Sequence, residues 1–103
     1  MIRALSTVLA AAVLAGAMGA AAFAYVGQQY ARQAKVSLQR ARAIALKAVP
    51  GGKITDQELE KEAGGSGLRY SFDVTLHGEK YEIGVDAKTG KVLENAVEGA
   101  NPD

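Results

Sequence analysis

Residues 68–86 alternate apolar and polar side chains almost without error, and this periodicity limits what the folded part can be. Leu68, Tyr70, Phe72, Val74 and Leu76 interleave with Arg69, Ser71, Asp73, Thr75 and His77. Successive side chains of a strand point to opposite faces, so the pattern predicts a strand with one face buried and one wet. His77-Gly78-Glu79 reads as a short turn, after which Tyr81, Ile83 and Val85 alternate with Lys80, Glu82, Gly84 and Asp86. Asp86-Ala87-Lys88-Thr89-Gly90 forms a second turn, with Gly90 free to take a positive φ, and Lys91 to Val97 supplies a last short strand.

Upstream the period changes from two to between three and four. Leu38, Ala41, Ala45, Ala48 and Val49 share one helical face, flanked by Ile44 and Leu46, with Arg40 and Lys47 opposite. Arg42 falls inside the apolar arc, so its stem is expected along that face with the guanidinium in water. Ser37 is the N-cap candidate, and Pro50-Gly51-Gly52 ends the helix. The alanines let a flat layer approach closely. One helix followed by an antiparallel meander of three to four strands is an α+β unit.

Lys53 to Ala63 is ambiguous. Thr55-Asp56-Gln57-Glu58 fits a helical capping box, and Ile54 with Leu59 fits a hydrophobic staple, but apolar residues are too few for either kind of face. Gly64-Gly65-Ser66-Gly67 is a flexible connector without the Lys-Ser/Thr ending of a phosphate loop.

Residues 4–31 carry no charge. Arg3 gives a positive start, Leu5 to Leu14 an apolar stretch, and Ala22-Phe23-Ala24 an A-x-A signature, so residues 1–24 are read as a signal peptide cut after Ala24. The alternative is an uncleaved anchor in the inner membrane with the domain facing outward. The strongly apolar part falls short of the ~20 residues that a bilayer core requires, which favours cleavage. Residues 25–36 are expected as a linker, 37–97 as the domain and 98–103 as a flexible tail. The destination is periplasmic or secreted. A domain this small buries only about 60% of its unfolded surface. The chain has no cysteine, so packing alone must stabilise it.

Charge is split along the chain. Arg3, Arg32, Lys35, Arg40, Arg42 and Lys47 precede Pro50 with no acid among them, and all 11 acidic residues follow it. A basic helix lying against an acidic sheet accounts for this, and export argues against nucleic acid as a partner. Membrane contact is expected only if the N-terminal segment is retained.

No constellation of residues carries chemistry. His77 with Glu79 and Glu82 lacks a second strong ligand and is expected to be solvated, so no metal site is assigned. Asp73, Glu82 and Asp86 read as solubilising carboxylates rather than an acid–base pair. Lys88-Thr89-Gly90 matches the K-T-G of penicillin-binding enzymes, but no serine has lysine three residues later, so the match is coincidental. Tyr70, Phe72 and Tyr81 sit on apolar faces and read as core. The chain is not read as an enzyme, and no catalytic residue, cofactor-binding residue or cofactor is assigned.

The order of these elements resembles a known family. Ala41-x-x-Ile44-Ala45-Leu46-x-x-Val49-Pro50-Gly51-Gly52, then Leu68-x-Tyr70-x-Phe72-x-Val74, then Tyr81-x-Ile83-x-Val85-Asp86-Ala87-x-Thr89-Gly90-x-Val92-Leu93 is similar to the PepSY domain. The resemblance spans residues 37–94 and is most specific at Val85 to Val92. It implies that Lys53 to Ala63 is a strand, against the local helix signal. It assigns Ala41 and Ala45 to the helix–sheet contact and Asp86, Thr89 and Gly90 to shaping the hairpin. It also implies a non-enzymatic role, restraining peptidases or binding other proteins outside the cytoplasm. The chain is therefore expected to be an exported binding module for an envelope protein, with inhibition of a peptidase in trans as one form. A membrane-tethered sensory or accessory domain and a small-ligand or metal carrier are the alternatives. Residues 91–97 or 53–63 are the candidate edges at which a partner strand could add.

Overall fold

A computed structural model of the protein describes residues 24–98. The signal or anchor expected over 1–24, and its cleavage site, lie outside these residues except for Ala24. The expected tail lies outside them except for Glu98. The elements are a 3-10 helix η1 (Gln28–Gln33), one α-helix α1 (Leu38–Ala48), and four strands: β1 (Lys53–Lys61), β2 (Leu68–Leu76), β3 (Glu79–Asp86) and β4 (Val92–Val97). The strands form one antiparallel sheet in chain order, β1-β2-β3-β4, and α1 packs on one of its faces.

The helix forms where the three-to-four spacing places it. The Ser37 side chain accepts a hydrogen bond from Arg40 N at 3.0 Å, satisfying one free amide of the first turn. Beyond Val49 the backbone turns away through Gly51 at φ 86°. Ala41 and Ala45 are fully buried against the sheet. Their small side chains bring the helix down onto Leu59 of β1, Tyr70, Phe72 and Val74 of β2, and Ile83 and Val85 of β3, all buried in one core. The β2–β3 turn is the two-residue loop His77-Gly78, with φ 52° and 81°. Two successive left-handed residues match the twist of a tight hairpin.

Lys53–Lys61 is a strand, and the local helix signal is overruled. Its register with β2 runs from Lys53↔Thr75 to Lys61↔Leu68, with a shift between Ile54 and Asp56. Pairing gives eight of its residues a partner on β2, whereas an isolated helix here would have had only Ile54 and Leu59 to bury.

Residues 25–36, expected as a linker, pack on the domain instead. Val26 forms a parallel bridge with Glu58, and Leu59 N donates to Val26 O at 2.9 Å, so the segment covers part of the β1 edge. Gly27 has φ 88° and is buried; a Cβ there would overlap the Leu59 carbonyl. Further on, the amides of Lys35 and Val36 both donate to Ala87 O at 2.9 Å. The Tyr70 hydroxyl donates to Val36 O at 2.7 Å, and burial pushes that phenol up to about 12, keeping it a donor. Val36 is thus part of the core, only 4% exposed.

Candidate functional site

The face of the sheet away from α1 carries the strongest local chemistry. Register places Asp56, Glu58 and Glu60 of β1 beside Asp73, Ser71 and Arg69 of β2. Asp73 lies across from Glu82 of β3, and Gly84 of β3 lies across from Glu94 of β4. Acids from all four strands therefore share one open surface, with Glu62 and Glu98 at its margins. Two basic residues relieve it. Lys80 Nζ sits 3.3 Å from Glu98 and 3.8 Å from Asp73, and its interaction with the Glu98 carboxylate raises the lysine pKa. Arg69 NH1 lies 3.5 Å from Glu94 and 4.0 Å from Glu62.

Arg69 is only 8% exposed, although its strand position reads as wet. The reason is Gly84: with no side chain on β3, the guanidinium lies over the sheet, and a Cβ at Gly84 would come 3.1 Å from Arg69 NH1. NH2 also donates to the Ala63 carbonyl at 3.3 Å, tying the β1–β2 connector to the open face.

Two carboxylates of this face titrate above the ordinary glutamate value. Glu82 is raised first by burial, then by the charges of Glu98, Glu94 and Asp73. Glu58 is raised first by burial, then by Glu60, Asp56 and Asp73. In both, neighbouring carboxylates add to the effect of burial.

Asp86 behaves differently. It is buried in the β3–β4 turn, where Oδ1 accepts from Lys88 N at 2.8 Å, Thr89 N at 3.1 Å and the Ser66 hydroxyl at 2.8 Å. Oδ2 accepts from Ser66 N at 2.7 Å. Burial alone would raise its pKa; these donors outweigh that and hold the carboxyl down to about 2. Asp86 is thus a turn anchor that also clamps the Gly64–Gly67 connector, and it does not meet Glu82 as an acid–base partner. Lys88-Thr89-Gly90 is the body of that turn, with Gly90 at φ 82°.

His77 and Glu79 are exposed at the β2–β3 hairpin tip, while Glu82 lies on the open face. Among the described residues no three His, Asp or Glu side chains gather as a metal-binding group. Tyr70 and Phe72 are buried and stack at 6.3 Å between centroids, and Tyr81 is half-buried. Arg42 lies half-buried along the helix–sheet seam and donates to Gln57 Oε1.

Both expected edges are edges of the sheet. β1 is shielded by Val26, distorted by its register shift, and flanked by exposed Lys53 and Lys61, the latter over the Tyr30 ring at 5.0 Å. Among the described residues β4 has only β3 beside it. Its Val92 and Val97 are 38% and 49% exposed because α1 lies mainly over β2 and β3. Sequence reasoning named β4 as an edge but missed the open acidic face, the burial of Arg69 and the docking role of Gly27. The last had one signal, a glycine opening a segment otherwise read as a linker.

Among the described residues no helix is long and apolar enough to cross a membrane. A model of the family described as peptidase propeptide and YPEB domain matches residues 35–95. No curated protein and no solved structure gives a significant match.

Proposed function

Because the chain belongs to the PepSY family, the peptidase propeptide and YPEB domain family, we propose that it is a non-enzymatic extracytoplasmic binding module whose partner is an envelope protein. The family is one of propeptide- and inhibitor-type domains, generally extracytoplasmic, and the match spans residues 35–95, which hold the helix, the first three strands and most of the fourth. The observation that carries the reading is a small sheet with an edge, β4, left unshielded among the described residues, beside a densely acidic face. Strand addition at such an edge supplies affinity from main-chain hydrogen bonds and specificity from alternate side chains. In this reading residues 1–24 direct export, 37–97 form the binding unit, and a peptidase restrained in trans is the partner class.

The test is mild affinity purification from native cell envelopes with a C-terminal tag, followed by mass spectrometry and an assay of any recovered peptidase with added protein. A dominant envelope protein bound stoichiometrically supports the reading, and dose-dependent loss of peptidase activity supports inhibition. Recovery of the bait alone, under conditions that keep weak complexes, refutes it. The uncharged run over residues 4–31 favours one variant, a membrane-tethered accessory domain. An intact-mass measurement of the mature protein separates the two by whether residues before Tyr25 survive.

A further inference from the structure

We propose that the β4 edge accepts an extended partner segment in which Lys or Arg alternates with apolar residues, and that its register is set by a basic residue laid beside Ala96. This rests on the binding-module reading and names the chemistry of the partner.

The hydrogen-bonding direction of β4 comes first. Glu98 N donates to Lys80 O at 2.7 Å, and the register continues as Val97↔Tyr81, Ala96↔Glu82, Asn95↔Ile83 and Glu94↔Gly84. In an antiparallel ladder, hydrogen-bonded and non-bonded pairs alternate. Glu98, Ala96 and Glu94 therefore bond toward β3, and the N–H and C=O groups of Asn95 and Val97 point away from the sheet. The register shift of β4 sits at its Val92 end, so over Glu94 to Val97 the outward groups of Asn95 and Val97 are regularly spaced and, among the described residues, have no strand beside them. Proteins commonly blunt an exposed edge with lysine, proline, a bulge or a covering segment. β1 has lysines at both ends, a register shift and the Val26 cover, whereas Glu94 to Val97 contains neither lysine nor proline.

The two faces of an added strand would meet different chemistry. On the helix side they would lie beside Asn95 and Val97, the latter half exposed, with Ile83 and Tyr81 behind them. That side takes apolar residues. On the other side they would lie beside Glu94 and Ala96. Ala96 carries only a methyl group, so a basic side chain laid beside it can reach over β4 to Glu82 on β3. The two backbones would stand two strand spacings apart, about 10 Å, within the joint reach of lysine and glutamate side chains. Glu94 and Glu98 both add to the negative charge at Glu82, and the nearby Lys80 is shared with Glu98 and Asp73. A second copy of this chain is the wrong occupant. Antiparallel β4–β4 pairing would set one acidic open face beside the other on the same side of the joined sheet.

The experiment titrates the full chain, isotope-labelled and in mild detergent, with two capped hexapeptides, one alternating Lys with Val and one alternating Glu with Val. Expected is binding of the Lys–Val peptide alone, weakened by added salt, with slowed amide exchange at Asn95 and Val97 and no new protection in β1. Glu82→Gln should weaken binding about two- to five-fold, as for loss of a partly exposed charge pair. Val97→Pro, which removes an outward N–H, should abolish the protection at Asn95. Should Val97→Pro unfold the domain, Glu82→Gln leaves the backbone intact and decides alone. Equal binding of both peptides, protection at β1, or no binding of the Lys–Val peptide overturns the proposal. If an envelope protein is captured stoichiometrically while the Lys–Val peptide does not bind, this inference fails and the binding-module reading stands. Peptide binding at β4 without any captured protein supports the edge chemistry and counts against that reading.

Discussion

Asp86 accepts four hydrogen bonds from two separate loops, which makes it the most consequential polar residue of the fold. Asp86→Ala should cost about 1–3 kcal/mol, because it removes the charged acceptor of four hydrogen bonds that tie two loops together. Its native pKa lies below that of the unfolded chain. Its stabilisation is therefore complete above the ordinary aspartate value and is lost as pH falls through about 2. Acid denaturation of the wild type and Asp86→Asn, followed by circular dichroism, should show the steep low-pH loss only in the wild type. Ala45 tests packing at the same scale. It is fully buried between helix and sheet, so Ala45→Leu should destabilise by about 1–3 kcal/mol in urea unfolding. The contact role of Ala45 was legible, since small residues on an apolar helical face imply a close neighbour. The burial of Arg69 was not, because the space it fills belongs to Gly84 on another strand.

At the scale of elements, β2, β3 and α1 could be read from periodicity, since each has a face made by its own residues. β1 could not be read locally. Its acids satisfy a helix-start pattern, and only the ladder to β2 makes it a strand. The acidic face was hidden for the same reason: Glu58, Asp73, Glu82 and Glu94 are far apart in the chain and become neighbours only once four strands are in register. Two substitutions test the ladder directions. Ala96→Pro removes an inward donor and should cost on the order of 2 kcal/mol, while Val97→Pro removes an outward one and should cost under about 1 kcal/mol. Thermal melts of the pair give the comparison, and equal losses would contradict the assigned directions. Gly27→Ala should release the segment from the β1 edge at a cost of about 1–2 kcal/mol, seen as faster amide exchange at Leu59 while α1 and β2 stay protected.

At the scale of the whole described molecule charge is divided between layers, with Arg40, Arg42 and Lys47 on α1 and Asp56, Glu58, Glu60, Asp73, Glu82 and Glu94 on the open face of the sheet. Glu58 and Glu82 have raised native pKa values, so each favours folding when protonated. Their contribution is present below the ordinary glutamate value and is lost as pH rises through the raised value. Urea midpoints should therefore fall as pH rises across this window, opposite in slope to the Asp86 limb, and Glu82→Gln should flatten that fall. The bridge at Val26 has one more consequence. The chain enters the sheet at β1, and β4 lies three strand spacings away, about 14 Å. The docked segment therefore acts as a mount at one edge of the sheet, leaving the last strand at the opposite edge.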